Sequence, residues 1–532
     1  MRLRTVRRIV QTFCLILFVF LVVKTSTPLS SRVPVDLFMR SSLLAALSSM
    51  VASRTLIGGF VVAGVVAVAA ILLGRVFCGW ICPLGTTIDC TDKLLAAARK
   101  ARSRQPNRER RAKIHRTKYI LLIVALTSAI FGVQIAGWFD PLSIATRTYG
   151  MVVYPFINFW IDAGLGAMFN IPIVGDWALA VDERIRPGLL MLEQPVFAYQ
   201  WLTLLVFASI AALGLIERRY WCRHICPLGA IHDLIGRKAL LRRYVKDGCT
   251  HCNKCVRECK MNAIDEGGEL TRQTECIECF ACTDVCPVHV STFRFAASPL
   301  PRTASGTDLG RRGLLTSVFA GLVTVPLARL GFKSNRPDIP VLRPPGVTDE
   351  TEFLAKCVRC GQCMKVCLTN GLHPTLDESG LAGIFTPRLI PRVGYCEYNC
   401  TLCGQVCPSG AIPKLSKEEK HKQIIGTAVF DRNRCIPWAE NRPCLVCEEH
   451  CPLPDKAIIL KKETVVDPIT GETRTIDRPY VDADKCVGCG ICENKCPLEG
   501  ESAVRVGPVR RGISKAVAQT NTKPVAEPAT NP

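Results

Sequence analysis

The chain has 532 residues, 30 of them cysteine, with a net charge of +22 and a mean hydropathy of +0.22. That length allows several domains, and so many cysteines in so long a chain exclude the disulfide framework of a small secreted module. The basic residues concentrate beside apolar segments, so the positive charge fits the cytoplasmic loops of a membrane protein and argues against a nucleic-acid partner.

In chain order, Met1 to Arg8 is basic and Ile9 to Val23 is apolar. No small-residue cleavage site follows, which predicts an uncleaved first membrane helix. Leu56 to Leu73, Ile120 to Phe139 and Trp201 to Ile216 are the next apolar segments and complete an expected set of four spans. Met151 to Ile173 carries Pro155, Asn158, Asp162 and Asn170, so it reads as an interfacial or re-entrant piece. The loops around Arg99–Lys118 and Arg218–Lys246 are basic, whereas Asp140–Gln200 is mildly acidic. Positive loops stay in the cytoplasm, which places the N-terminus and both basic loops inside.

Two spans run into the same element: Cys78-x3-Cys82-Pro83-Leu-Gly85 and Cys222-x3-Cys226-Pro227-Leu-Gly229. Four cysteines in equivalent places of two copies suggest convergence on one redox centre or metal. Trp80, His224 and His232 lie beside them; a histidine there could take a quinol proton or ligate a haem, but an ordinary interfacial or satisfied polar role is the simpler reading. Cys14 and Cys90 read as small apolar residues.

The other twenty-four cysteines form six runs. The first two are Cys249, Cys252, Cys255, Cys259 and Cys276, Cys279, Cys282, Cys286. The remaining four are Cys357, Cys360, Cys363, Cys367; Cys396, Cys400, Cys403, Cys407; Cys435, Cys444, Cys447, Cys451; and Cys486, Cys489, Cys492, Cys496. A [4Fe–4S] cluster needs one thiolate per iron; closely spaced cysteines reach three corners and the fourth of a run serves the neighbouring cluster. Zinc is the rival ligand, but zinc sites rarely place four cysteines within eleven residues. The first pair predicts Cys249, Cys252 and Cys255 with Cys286, and Cys276, Cys279 and Cys282 with Cys259. In the later group adjacent and nested pairings both remain open. Lys260 stands where a proline usually follows the fourth cysteine. No dinucleotide fingerprint, P-loop or haem-attachment motif is present.

Residues 1–300 resemble NapH-type quinol dehydrogenase membrane subunits and MauN-like proteins, on the four apolar segments, the two Cys-x3-Cys-Pro elements and the first two runs. Residues 305–510 resemble NapG/MauM-type ferredoxins, with Arg311-Arg312-Gly313-Leu314-Leu315 as a twin-arginine-like signal. The resemblance implies a multi-domain membrane protein with an α-helical four-span domain and two α+β bacterial-type ferredoxin-like domains. The expected divisions are 1–235 membrane domain, 236–300 two-cluster domain, 301–350 signal-like segment and linker, 351–505 four-cluster domain and 506–532 disordered tail. It implies about six [4Fe–4S] clusters carrying electrons from the quinone pool to another redox protein, a periplasmic reductase or cytochrome. The first ferredoxin domain would be cytoplasmic and the second periplasmic, both held at the inner membrane. The rival reading is a cofactor-maturation or redox-sensing membrane iron–sulfur protein.

Overall fold

A computed structural model describes residues 3–26, 29, 33–101, 116–169, 171, 174–191, 194–295, 310–329, 341–376, 378–466 and 473–508. Most of the first basic loop, the proline-rich stretch up to 340 and nearly all of the expected disordered tail lie outside the described residues.

The apolar run after Arg8 forms helix α1 (Leu3–Lys24), whose 22 residues extend about 33 Å. Its two ends touch different parts of the chain. At its start Arg4 pairs with Glu258 at 2.8 Å and Arg7 donates to the Gly79 carbonyl. Just past its end, Lys365 Nζ donates to the Thr25 carbonyl at 2.9 Å. Helix α2 (Gly58–Leu73) runs the opposite way. A Cβ on Gly59 would lie 2.7 Å from the Pro408 carbonyl oxygen, while the Leu72 carbonyl accepts from Leu240 N–H. Helix α3 (Thr117–Ile130) begins with Lys118 on Glu275 and ends with Ala129 packed on Ala355. The segment expected to continue to Phe139 stops at Ile130 for a local reason. Gly132 takes a left-handed φ of 79°, and the amides of Val133 and Gly132 return to the carbonyls of Ser128 and Ala129. That is a Schellman ending, which caps the last carbonyls and turns the chain.

Helix α4 (Pro141–Phe169) contains most of the segment read as interfacial. It is one continuous helix with a π turn at Tyr149–Val153. Asp140 caps it by accepting from Ser143 N–H at 2.9 Å, Pro141 occupies its first turn, and Phe156, Phe159 and Trp160 are exposed along it. Helix α5 (Gln200–Leu215) starts where Ala198 N–H donates to His373 Nδ1 and Tyr199 to Glu378; beyond its end the Arg219 amide donates to Asp92. Among the described residues, α1 and α4 are long and apolar enough to cross a membrane, while α2, α3 and α5 are shorter. Helix α6 (Arg311–Arg329) lies along α3: Gly321 faces Thr127, with room for no Cβ, and Ala328 shares a core with Ala382.

The cysteine-rich parts use short antiparallel pairs to close long loops. Strand β1 (Leu241–Val245) pairs with β2 (Ser291–Phe295), Leu241 opposite Phe295, and brackets the first two runs. In the second part β3 (Leu372–Pro374) pairs with β4 (Pro387–Leu389). Strand β5 (Thr427–Phe430) pairs with β8 (Val504–Gly507) around the last two runs, and the hairpin β6 (Ile458–Val466)–β7 (Thr473–Val481) projects between them. The two halves of this part are tied where Cys396 N–H donates to the Cys489 carbonyl at 2.8 Å. Helices α1, α2, α3 and α5 thus each join the β1–β2 domain, or the elements against it, to the four-run domain.

Candidate functional site: six thiol quartets and a four-cysteine centre

The short loops of the runs are shaped by their second cysteine. In four runs the residues on either side of it are left-handed: His251 and Asn253, Glu278 and Phe280, Arg359 and Gly361, Gly488 and Gly490. In the two runs with a stretched first interval, the residue after the second cysteine, Thr401 or Leu445, has negative φ. The tight loop therefore needs the left-handed turns that the longer loop avoids. The result turns backbone amides onto sulfur: those of Lys254, Gln362 and Ile491 donate to the second cysteine of their runs.

Cysteines from paired runs line common cavities. Cys249, Cys252, Cys255 and Cys286 line one of about 350 Å³, and Cys259, Cys276, Cys279 and Cys282 one of about 360 Å³. Cys357, Cys360, Cys363 and Cys407 line a third, and Cys367, Cys396, Cys400 and Cys403 a fourth. Burial and then Cys496 push the Cys447 thiol up to about 12; burial and then Cys486, Cys396 and Cys451 push Cys489 to about 12. The fourth cysteine of each run thus stands with the adjacent run, and the nested alternative does not occur. Where burial raises the thiols, as at Cys360, Cys363, Cys403 and Cys492, they become thiolates only around a positively charged centre, so these quartets fit a metal or iron–sulfur core and not four free thiols.

The two Cys-x3-Cys-Pro elements fold alike. Each first cysteine lies in a π turn, Phe77–Ile81 or Trp221–Ile225, and each proline opens a helix, Pro83–Leu94 or Pro227–Ile235. All four thiols are close enough to act on one another: after burial, Cys78 is among the groups raising both Cys82 and Cys226. Cys78 and Cys222, like Cys259 and Cys279, pack against Met261, Ala263 and Ile277 of the first ferredoxin domain. The two elements clasp each other through reciprocal arginines. Arg75, three residues before Cys78, pairs with Asp233 at 2.8 Å and reaches the Cys222 carbonyl. Arg219, three residues before Cys222, pairs with Asp89 at 2.8 Å and donates to the Cys78 carbonyl. Gly85 and Gly229 lie under the opposite arginine. Burial opposes the charge on Asp89, but Arg219 and Lys260 outweigh it and hold this carboxyl well below its usual range. Sequence reasoning overlooked Arg75, Asp89, Arg219 and Asp233; their signal is the same offset from the cysteines in both copies, Arg-x2-Cys-x3-Cys-Pro-Leu-Gly-x3-Asp.

Two of the three neighbouring residues take the ordinary roles expected, but His232 is not a satisfied polar residue. Trp80 Nε1 donates to the Glu278 carbonyl, and His224 lies on Glu217. His232 is buried with neither ring nitrogen hydrogen-bonded and stacks on Phe77; burial, and then Arg75, push it down to about 3, so it is neutral at physiological pH. Lys260, in the place of the usual proline, reaches Asp89 at 2.9 Å and so ties the first ferredoxin domain to the first Cys-x3-Cys-Pro helix.

A family described as a 4Fe-4S binding domain matches residues 55–102 and 197–246, the two stretches holding the Cys-x3-Cys-Pro elements. A 4Fe-4S dicluster domain matches 242–287, and a second 4Fe-4S binding domain matches 477–498. The chain is 33% identical over 221 residues to the methylamine utilization ferredoxin-type protein MauM of Methylorubrum extorquens, covering 40% of this chain and 93% of that protein. It is 35% identical over 210 residues to the ferredoxin-type protein NapG of Escherichia coli, 38% of this chain and 86% of that protein. To the ferredoxin-type protein NapH of Haemophilus influenzae it is 28% identical over 251 residues, 45% of this chain and 68% of that protein. No solved structure matches. Its paired quartets and these relatives agree: the chain belongs to the MauM and NapG family of ferredoxin-type proteins and is a polyferredoxin of the NapH/NapG type.

Proposed function

We propose that the chain is a membrane-spanning electron conduit with six [4Fe–4S] clusters, two on the cytoplasmic side and four on the periplasmic side. Quinol is the electron source and a periplasmic redox protein the acceptor. The observation that carries this reading is the placement of the two ferredoxin domains at opposite ends of the same helices. The exposed faces of those helices bear Phe13, Ile16, Val65, Val68, Leu204 and Leu205, as lipid contact requires. Helices α2, α3 and α5 are short for a straight crossing, and the turns at their ends, packed on protein, supply the remaining depth. Helix α6 leads from the first ferredoxin domain to the second, as an exported domain would need.

Cys78, Cys82, Cys222 and Cys226 would hold a seventh redox centre between the two domains. On one side Cys78 and Cys222 pack on the apolar cluster of Met261, Ala263 and Ile277, on which Cys259 and Cys279 also pack. On the other, the helix after Cys82 carries Thr87, hydrogen-bonded to Tyr149 at 2.9 Å, and Tyr149 lies between Arg147 and Met151, which border Gly361 next to Cys360. The bound clusters would supply one-electron transfer; the chain spaces, buries and electrostatically tunes them.

The test is anaerobic purification of the whole chain. Each occupied ferredoxin quartet contributes roughly four irons and as many acid-labile sulfides. Reduced clusters should reoxidise on adding a periplasmic acceptor and be reduced by a quinol. Clusters that form but exchange electrons with neither at turnover rates would favour the sensing or maturation reading.

A further inference from the structure

The face where the four-run domain meets the helices buries three cations. Arg147 of α4 and Arg359 are each 1% exposed, and Lys365 is 3% exposed. Charged side chains buried this deeply are ordinarily paired, because an isolated charge out of water is very costly. Among the described residues none of the three has a carboxylate partner. Arg359 donates to the carbonyls of Cys357, Ala382 and Ile384. Arg147 donates to the Arg359 carbonyl at 3.1 Å and lies 3.9 Å over the Phe385 ring, its Nε without a partner. Lys365 donates to the Thr25 carbonyl and lies 3.9 Å over the Tyr154 ring. Two guanidinium groups therefore share one dry site, and carbonyl dipoles and ring faces do not cancel two full charges.

What faces the two guanidinium groups is the quartet of Cys357, Cys360, Cys363 and Cys407. Arg359 lines that cavity, and Cys357 and Cys360 are the anionic groups that act on Arg147. A four-thiolate cluster carries excess negative charge, which grows by one on reduction. The other quartets of this domain are less favoured. The one built on Cys396 has two buried cations nearby: Lys420, which donates to the Glu397 and Tyr398 carbonyls, and Arg343, whose charge Glu350 answers. Around the third and fourth runs no Arg or Lys is buried among the described residues, and the loops into Cys435 and Cys486 start at Asp431 and Asp482, whose carbonyls accept from those cysteines' amides.

We infer that the cluster on Cys357, Cys360, Cys363 and Cys407 is the counter-ion of Arg147 and Arg359, and that these positioning residues make it the highest-potential cluster of the four. Net charge near a cluster is one of the terms that set its potential, and burial removes the screening that would weaken it. An electron arriving through the helices then rests at the membrane-facing cluster, and its onward transfer waits for an acceptor to draw it through the distal ones. The inference rests on the conduit reading only in that the quartets hold iron–sulfur clusters.

The experiment is a potentiometric titration of the full chain in detergent, followed by low-temperature electron paramagnetic resonance, with iron and sulfide measured first. The signal lost in Cys360→Ser identifies the cluster. In wild type it should titrate at the highest midpoint of the four-run domain. Arg359→Gln and Arg147→Gln should each lower that midpoint, the double variant should lower it further, and Arg359→Lys should leave it near wild type, with all other signals unmoved. Loss of iron in Arg359→Gln but not in Arg359→Lys would support the same dependence on charge. Full iron with an unmoved midpoint overturns the inference alone, as does equal iron loss in both Arg359 variants. Absence of sulfide from wild type overturns the cluster reading beneath it.

Discussion

The reciprocal arginines show how single residues hold the four-cysteine centre. Arg219 and Asp89 are both buried; Asp89 is also held by Arg7 and Lys260, but it is the carboxylate that answers Arg219, so removing Asp89 strands that guanidinium out of water. Asp89→Ala should therefore destabilise the junction by about 3–5 kcal/mol, read as a lowered melting temperature in detergent, whereas Arg4→Ala, at a partly exposed pair, should cost under about 1 kcal/mol. His232 gives a pH prediction with a definite sign. Its folded pKa of about 3 lies below the unfolded value, so between those values the unfolded chain binds more protons. Its penalty is absent above about pH 6.5 and grows as the pH falls, reaching about 3 kcal/mol near pH 4. His232→Phe keeps the stacking on Phe77, so its melting temperature should fall less steeply over that range than wild type's. Parallel curves would show that the buried imidazole is not the group responsible.

At the scale of elements, two glycines let loops and helices meet. Gly79, in the first π turn, lies against the Ile277 carbonyl, and Gly137, between α3 and α4, lies against the Val358 carbonyl, where an added Cβ would sit 2.6 Å from the oxygen. Each contact joins one ferredoxin domain to the helices. Gly137→Ala must push the Cys357 loop away, at about 1–3 kcal/mol for the overpacking. The four-run domain should then be cut more readily by protease at its connection to α6, while Gly164→Ala, which meets open space, should behave as wild type. Equal protease resistance in both variants would mean that this approach does not hold the domain. The expected third span ends early because Gly132 caps it, and the polar residues of α4 remain helical because they bond within and beside the helix: Asn158 donates to Asp162 and Gln194.

For the whole molecule, the alternation of α1, α2, α3 and α5 between two cysteine-rich ends makes sidedness testable. Single cysteines at exposed positions, Lys246 near one end and Lys417 near the other, should label from opposite faces of the membrane with an impermeant maleimide. In spheroplasts Lys417→Cys should react and Lys246→Cys should react only after lysis. Labelling of both from the same face would place all the runs on one side and remove the transmembrane conduit.

Much of this was legible in the sequence because thiolate ligation is a local demand. Cysteines two or three residues apart can meet only around a compact centre, so the runs, their number and the crossed pair Cys249–Cys286 could be read from spacing. The duplicated Cys-x3-Cys-Pro unit was likewise visible as a repeat. The adjacent pairing of the later four runs needed the fold, since a fourth cysteine can reach either neighbour until β5 and β8 close around the last two. So did the role of Lys260, the length of α4 and the clasp of Arg75 and Arg219, each of which depends on a partner distant in the chain. The buried Arg147 and Arg359 lie farthest from sequence reasoning: a lone Arg reads as a solvated surface charge, and only its tertiary burial without a carboxylate reveals that another negative charge must answer it.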